Sequence, residues 1–160
     1  MDEKNNLDKI EENLWLGNYR AAKDIKDLKT KGITKIICIV YRNVPDYNNE
    51  DGFIHKKFKV PDFSSKNIIQ YFGECLNFIK GDEKVLVHCI SGSSRSASIV
   101  IAYIMWIKKM KYEDAFKFVK DKRKCVNPNI GFIAQLKIFE ILLEKNEYNL
   151  DKINFKDIKV

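Results

Sequence analysis

The stretch His88-Cys89-Ile90-Ser91-Gly92-Ser93-Ser94-Arg95-Ser96 lies between the apolar run Lys84 to His88 and a long apolar segment that begins at Ser96. The run reads as a strand and the segment as a helix, so the nine residues form a strand–loop–helix junction. In α/β sheets, nucleophiles and ligands gather at such carboxyl ends of strands. The small-residue loop exposes backbone N–H groups, and the helix turns its positive dipole end toward them. Five residues separate Cys89 from Arg95. That lets the loop curl into a ring in which the N–H groups of Ile90, Ser91, Gly92, Ser93, Ser94 and Arg95 converge on one anion, while the Arg95 guanidinium closes the rim with a bidentate contact. Gly92 supplies backbone freedom and the serines fill little space. The junction reads as a phosphate cradle with a thiol at its base.

Outward from the junction, strands and helices alternate. Ile10 to Leu16 reads as one short strand closed by Gly17-Asn18, and Tyr19 to Lys31 as a helix with Gly32 at its C-terminal cap. Ile33 to Tyr41 follows as a buried strand, Arg42 to Gly52 as a polar turn-rich loop, and Phe53 to Val60 as a strand ended by Pro61. Ser65 is read as the N-cap of a helix whose buried face carries Ile68, Ile69, Phe72, Cys75, Leu76 and Ile79. The segment Ser96 to Lys109 is apolar nearly all round, as expected of a central helix. Glu113 to Lys122 and Gly131 to Lys145 read as amphipathic helices. The pattern predicts an α/β fold with a mostly parallel sheet. Residues 1–145 are expected to form a catalytic domain, and residues 146–160 a tail that packs loosely or binds something, because its apolar residues show no clear period.

Composition narrows the function classes. A chain of 160 residues with 45% hydrophobic and 12% aromatic content is one globular domain and not a disordered segment. The longest apolar stretch, Ala97 to Ile107, is about half of what a bilayer-spanning helix needs. Met1-Asp2 begins neither a signal peptide nor a myristoylation site, so a soluble protein of the cytoplasm, and of the nucleus too, is expected. The net charge of +7 is spread over scattered lysines, 25 of the 29 basic residues, without a stacked aromatic platform, which argues against nucleic-acid binding and suits acidic or phosphorylated substrates. Cys38, Cys75, Cys89 and Cys125 show no C-x-x-C pairing, and His55 and His88 are the only histidines. No zinc ligand set is therefore read, and no metal or cofactor is expected. Cys38 and Cys75 read as core residues. A monomer is the expected state.

The chemistry follows from the cradle. A thiol attacks as thiolate, and backbone N–H groups, a helix N-terminus and an arginine favour the charged form of a cysteine they surround. A phosphoryl group in transit carries its charge on equatorial oxygens, which a ring of donors with Arg95 stabilises without a metal. The implied step is phosphoryl transfer to Cys89. Asp62, in the loop Val60-Pro61-Asp62-Phe63, is the candidate general acid for the leaving oxygen and the base for hydrolysis of the cysteinyl phosphate. Ser96 can donate a hydrogen bond to the sulfur when it leaves. His88 is read as orienting the loop through hydrogen bonds, and His55 as solvent-facing. Two other classes share parts of this pattern: a module that captures phosphoproteins without turnover, and a rhodanese-like sulfurtransferase or thiol oxidoreductase. The first is expected to lack one of cysteine, arginine and acid, all present here. The second is expected to carry a redox signature, such as a nearby second cysteine.

These residues resemble the dual-specificity phosphatases, a branch of the cysteine-dependent protein tyrosine phosphatases, whose signature is His-Cys, five residues, Arg, then Ser or Thr. Leu14-Trp15-Leu16-Gly17 and Gly32-Ile33-Thr34-Lys35-Ile36-Ile37 look like the family's first two strands, Val60-Pro61-Asp62 like its acid loop, and Asn127-Pro128-Asn129-Ile130-Gly131-Phe132 with Gln135-Leu136 like the opening of its last helix. The likeness spans roughly residues 7 to 145. It implies a single central mixed, mostly parallel sheet flanked by helices, and a shallow pocket acting on phosphotyrosine and on phosphoserine or phosphothreonine in proteins. The short chain suits this branch, whose tyrosine-specific relatives are larger. The lysine-free loop separates it from phosphoinositide-specific relatives. The chain resembles a small atypical member or an isolated catalytic domain.

Overall fold

A computed structural model describes residues 5–42 and 44–160, so the reading of Met1-Asp2 and the Asn43 position of the Arg42 to Gly52 loop lie outside the described residues. Five strands form one sheet in the order β1-β2-β5-β3-β4: β1 (Leu7–Glu11), β2 (Leu14–Gly17), β3 (Ile33–Val40), β4 (Ile54–Lys59) and β5 (Lys84–His88). All neighbours run parallel except β1 and β2, so the sheet is mixed and mostly parallel, as expected. The central strands β3 and β5 are apolar along most of their length because they are covered on both faces. Trp15, Ile36 and Leu86 meet Ala22 and Leu28 of the short helices α1 (Tyr19–Lys23) and α2 (Ile25–Thr30) on one face. Leu16, Ile37, Ile39, Val85 and Val87 on the other face enter the main core. There α4 (Arg95–Lys108) packs against α3 (Phe72–Ile79), α5 (Tyr112–Lys122) and α6 (Ile130–Lys145). Lysines at 56, 57 and 59 guard the β4 edge against further strand pairing.

Four local expectations need correction. The single strand Ile10 to Leu16 is a hairpin: Glu12 and Asn13 make a turn, and Lys9 pairs antiparallel with Trp15. The single helix Tyr19 to Lys31 breaks at Asp24, whose carboxylate accepts the Asp27 N–H at 3.1 Å and starts α2 as a separate element. Ser65 is exposed, and among the described residues no helix is capped by its side chain. Asn67 instead accepts the Gln70 N–H at 3.2 Å, and Gln135 of α6 accepts the N–H groups of Ile68 and Ile69 at 2.8 and 3.0 Å before α3 begins. The segment after Asn146, read as loosely packed or interacting, lies on the main core. Leu150, Ile153 and Phe155 are buried, the Phe155 ring stands 5.9 Å from that of Phe139, and Asn67 donates to the Ile158 carbonyl at 2.8 Å. Gly73 makes room for it, since a Cβ there would lie 2.7 Å from the Phe155 ring. No helix among the described residues is long and apolar enough to cross a membrane.

Candidate active site

The loop after β5 is held by its carbonyls. Ile90 O accepts from Tyr19 N at 3.0 Å, Ser91 O from Arg123 Nη2 at 3.1 Å and Gly92 O from Arg123 Nε at 2.9 Å. Ser93 O accepts from Asn127 N at 2.7 Å, and Ser94 O from Ser98 N and Oγ at 2.9 and 2.7 Å. Five consecutive carbonyls thus bond to surrounding elements. The N–H of a planar trans peptide lies opposite its C=O, so the N–H groups of residues 91 to 95 turn to the loop's inner side. The Gly92 N–H bears this out by donating to Cys89 Sγ at 3.2 Å. Gly92 has φ +68°, and a Cβ there would press on the Gly17 carbonyl and the Arg123 guanidinium. Here glycine is required on both counts.

Cys89, 1% exposed, sits at the base of this ring with its Sγ 3.0 Å from Ser96 Oγ. Arg95 opens α4, and its Nη1 donates to Val60 O at 2.9 Å, while its Nε is buried without a partner among the described residues. That bond ties the rim of the cradle to the loop carrying Asp62. Asp62 is exposed and is gripped at one oxygen: Ser94 Oγ donates to its Oδ1 at 2.7 Å and Asn129 Nδ2 to the same atom at 2.9 Å. The Asn129 N–H in turn donates to Ser94 Oγ at 3.0 Å, and Asn129 Oδ1 accepts from Phe132 N at 2.9 Å as the N-cap of α6. Gly131 lets the two segments touch, because any Cβ there would overlap the Ser64 backbone. Cys89, Arg95, Ser96 and Asp62 are therefore brought to one place, although Asp62 lies 27 positions before the cysteine.

The remaining loop residues differ in what they present. Ile90 is 45% exposed at the rim, and the Ser91 and Ser93 hydroxyls stand 2.5 Å apart. Ser94 uses its side chain on Asp62 and Asn129 as well as its backbone on the ring. His88 is buried, its Nδ1 3.3 Å from Cys89 O and its Nε2 without a partner among the described residues; burial holds its pKa down at about 4. His55, read as solvent-facing, is half-buried with its ring 4.8 Å from that of Tyr47. Burial takes its pKa down to about 4 as well. Folding also places ligand atoms of Cys38, His55 and His88 within 4.8 Å of one another, a group that sequence spacing does not display.

Arg123 escapes sequence reasoning altogether. It is 1% exposed at the end of α5 and donates to Gly92 O, Ser91 O, Asn5 O and Asp8 Oδ2, the last two at 2.7 and 2.8 Å. In the sequence it is one cation in Lys120 to Lys124, and no local pattern distinguishes it. Beside the cradle, an open depression of about 350 Å³ is lined by Tyr41, Lys59, Phe63, Lys66 and Tyr71, among others.

Residues 14–141 match the family "Dual specificity phosphatase, catalytic domain". The human "Serine/threonine/tyrosine-interacting protein" is 42% identical over 138 residues, covering 81% of this chain and 62% of that protein. The Arabidopsis thaliana "Dual specificity protein phosphatase 1B" is 35% identical, covering 88% of this chain and 85% of that one. The chain spans 36% of the Drosophila melanogaster "Dual specificity protein phosphatase MPK-4", at 36% identity. It thus spans about a third to two thirds of the length of several curated relatives. Among solved structures, DUSP15 superposes with a TM-score of 0.84 at 32% identity, covering 92% of this chain and 97% of that one. The human tyrosine phosphatase-like serine/threonine/tyrosine-interacting protein gives 0.81 at 39%, covering 86% and 97%.

Proposed function

Since the chain belongs to the dual specificity phosphatase catalytic-domain family, we propose that it hydrolyses phosphate monoesters on phosphorylated proteins, phosphotyrosine as well as phosphoserine and phosphothreonine, through a cysteinyl phosphate. The single observation that carries this reading is the convergence of Cys89, Arg95 and Asp62 around one ring of backbone donors. Cys89 Sγ forms a bond to phosphorus as the bond from phosphorus to the substrate oxygen breaks, and Asp62 gives that oxygen its proton. The inward N–H groups of residues 91 to 95 and the guanidinium of Arg95 take the charge of the equatorial oxygens. Water then attacks phosphorus, Asp62 takes its proton, and the sulfur leaves as thiolate with Ser96 Oγ and the Gly92 N–H beside it. Lys59 and Lys66 next to the cradle suit a peptide with acidic flanks. His88 supports the loop.

The relatives named for interaction raise capture without turnover as the competing reading. Cysteine, arginine and acid are all present here, which favours hydrolysis. With an aryl phosphate as substrate, Cys89→Ser should abolish turnover, and mass spectrometry of rapidly quenched wild type should find phosphate on Cys89. Wild-type rates in the serine variant would sink the mechanism. Asp62→Ala should slow poor leaving groups by about 10²-fold or more while sparing activated ones. Equal losses on both would assign the proton to another group.

A further inference from the structure

The sheet face opposite the main core carries a second constellation, none of whose side chains takes part in a step of the proposed reaction. Strands β5, β3 and β4 are adjacent and parallel, and His88, Cys38 and His55 come one from each. Side chains alternate across a strand, so His88 and Cys38 share a face with Leu86 and Ile36, the face covered by α1, α2 and Tyr47. His55 joins them beneath the Tyr47 ring. The two imidazole nitrogens and the thiol sulfur then lie within 4.8 Å of one another. Both His Nε2 atoms are buried with no hydrogen-bond partner among the described residues, at places where an unpaired polar atom is unfavourable.

The contact of His88 Nδ1 with Cys89 O at 3.3 Å favours one tautomer: a carbonyl oxygen only accepts, so the ring makes this hydrogen bond with its proton on Nδ1. In a neutral ring this leaves a bare lone pair on Nε2. Burial keeps both imidazoles neutral near pH 7, with values of about 4. A ligating histidine whose other nitrogen donates to a backbone carbonyl is the arrangement that metal sites use to fix ring orientation. Cys38 lies in contact with Cys89 and Val40 in an apolar cluster and is a thiol, since burial pushes it up to about 12.

We propose that Cys38, His55 and His88 form a transition-metal site, suited to zinc, on the sheet face covered by α1 and α2 and next to the floor of the phosphate cradle. Zinc takes sulfur at about 2.3 Å and imidazole nitrogen at about 2.0–2.1 Å, which sets ligand atoms roughly 3.3–3.6 Å apart in a tetrahedron. Side-chain adjustment of about 1 Å closes the three onto one ion. On binding, the Cys38 S–H bond breaks, its proton goes to solvent, and the thiolate and two neutral imidazoles give an S,N,N set with a fourth position open. Zinc or cobalt fits this donor set, whereas calcium and magnesium prefer oxygen.

The test uses the full chain, stripped with a chelator and titrated with Co²⁺, with Zn²⁺ as competitor. Wild type should bind one cobalt and show a thiolate-to-cobalt charge-transfer band with the intense visible bands of tetrahedral cobalt, all removed by zinc. Cys89→Ser should keep the spectrum, Cys38→Ser should lose the charge-transfer band, and His55→Phe should weaken binding by at least about tenfold. Circular dichroism of each variant checks the fold, and should Cys38→Ser not fold, His55→Phe decides. Absence of the band in wild type, its loss in Cys89→Ser, its survival in Cys38→Ser, or unchanged affinity in His55→Phe overturns the site.

Discussion

Replacing Arg123 by methionine removes the donors to Ser91 O, Gly92 O, Asn5 O and Asp8 Oδ2 while keeping much of the side-chain volume. A hydrogen bond to a charged group is worth about 1.5–3 kcal/mol, but four of them do not simply add here. Asp8 and Asn5 lie near the surface and can rehydrate, whereas the Ser91 and Gly92 carbonyls lose their partner against a guanidinium site only 1% exposed. The loss observed on breaking a buried ion pair, about 3–5 kcal/mol, is therefore the expected fall in unfolding free energy, read as a lower urea midpoint. A domain of ordinary stability survives that at low temperature. The freed carbonyls belong to the peptide units whose N–H groups are those of Gly92 and Ser93. One misaligned donor in an oxyanion site slows a reaction by about 10²–10³-fold, so kcat/KM on an aryl phosphate, corrected for the folded fraction, should fall by at least about 10²-fold. Arg123→Lys keeps the charge but cannot span both carbonyls, and should fall between. Full activity in the folded fraction of Arg123→Met would refute the claim that Arg123 shapes the cradle, and an unchanged urea midpoint would refute the energetic argument.

Gly131→Ala places a methyl group on the Ser64 backbone, so the acid loop must shift away from Asn129. Turnover of substrates with poor leaving groups should fall by about tenfold or more, with less effect on activated ones; equal rates would show that the loop tolerates displacement. Phe155→Ala empties a buried contact with Phe139 and Gly73 and should lower stability by about 3 kcal/mol in urea unfolding, whereas a change under about 0.5 kcal/mol would mean that the tail is not anchored there. Arg95→Lys should reduce kcat/KM by about 10²-fold or more, since an ammonium cannot make the two-pronged phosphate contact; an active lysine variant would remove the bidentate role.

The elements legible in the sequence are those whose cause is local. The β3 and β5 strands show as unbroken apolar runs because both faces are covered, and α4 shows as a helix apolar all round because α3, α5 and α6 enclose it. The errors fall where a tertiary partner decides. Glu11-Glu12-Asn13 interrupts the apolar residues of Ile10 to Leu16, but only the antiparallel pairing of Lys9 with Trp15 makes that interruption a turn and not the polar stretch of one strand. Ser65 is a good cap by residue type. The N–H groups that needed acceptors belong to Ile68 and Ile69, however, and they are met by Gln135, 66 or more positions away. The tail shows no period because it is two short 3-10 turns whose buried residues are chosen by the surface of α3 and α6, not by a repeat of their own.

The site divides in the same way, and the division says what the family's segments are for. The order Cys89, five residues, Arg95, Ser96 is enough to foresee a ring of inward N–H groups, since the loop and the helix that follows are contiguous. Why the N–H groups face inward is a different matter, because it depends on where the five carbonyls go. Of their partners only Ser98 is near in sequence; Tyr19, Arg123 and Asn127 come from three other elements. The segment from Asn127 to Gln135 thereby gains a physical role: Asn127 holds the loop at Ser93, Asn129 holds Asp62, Gly131 admits the acid loop, and Gln135 accepts the N–H groups that follow it. Four residues on one turn-and-helix segment thus set the distance between acid and nucleophile. A shift of that segment moves Asp62 relative to Cys89 without altering either residue, so positioning, more than residue identity, is what the chain outside the cradle contributes.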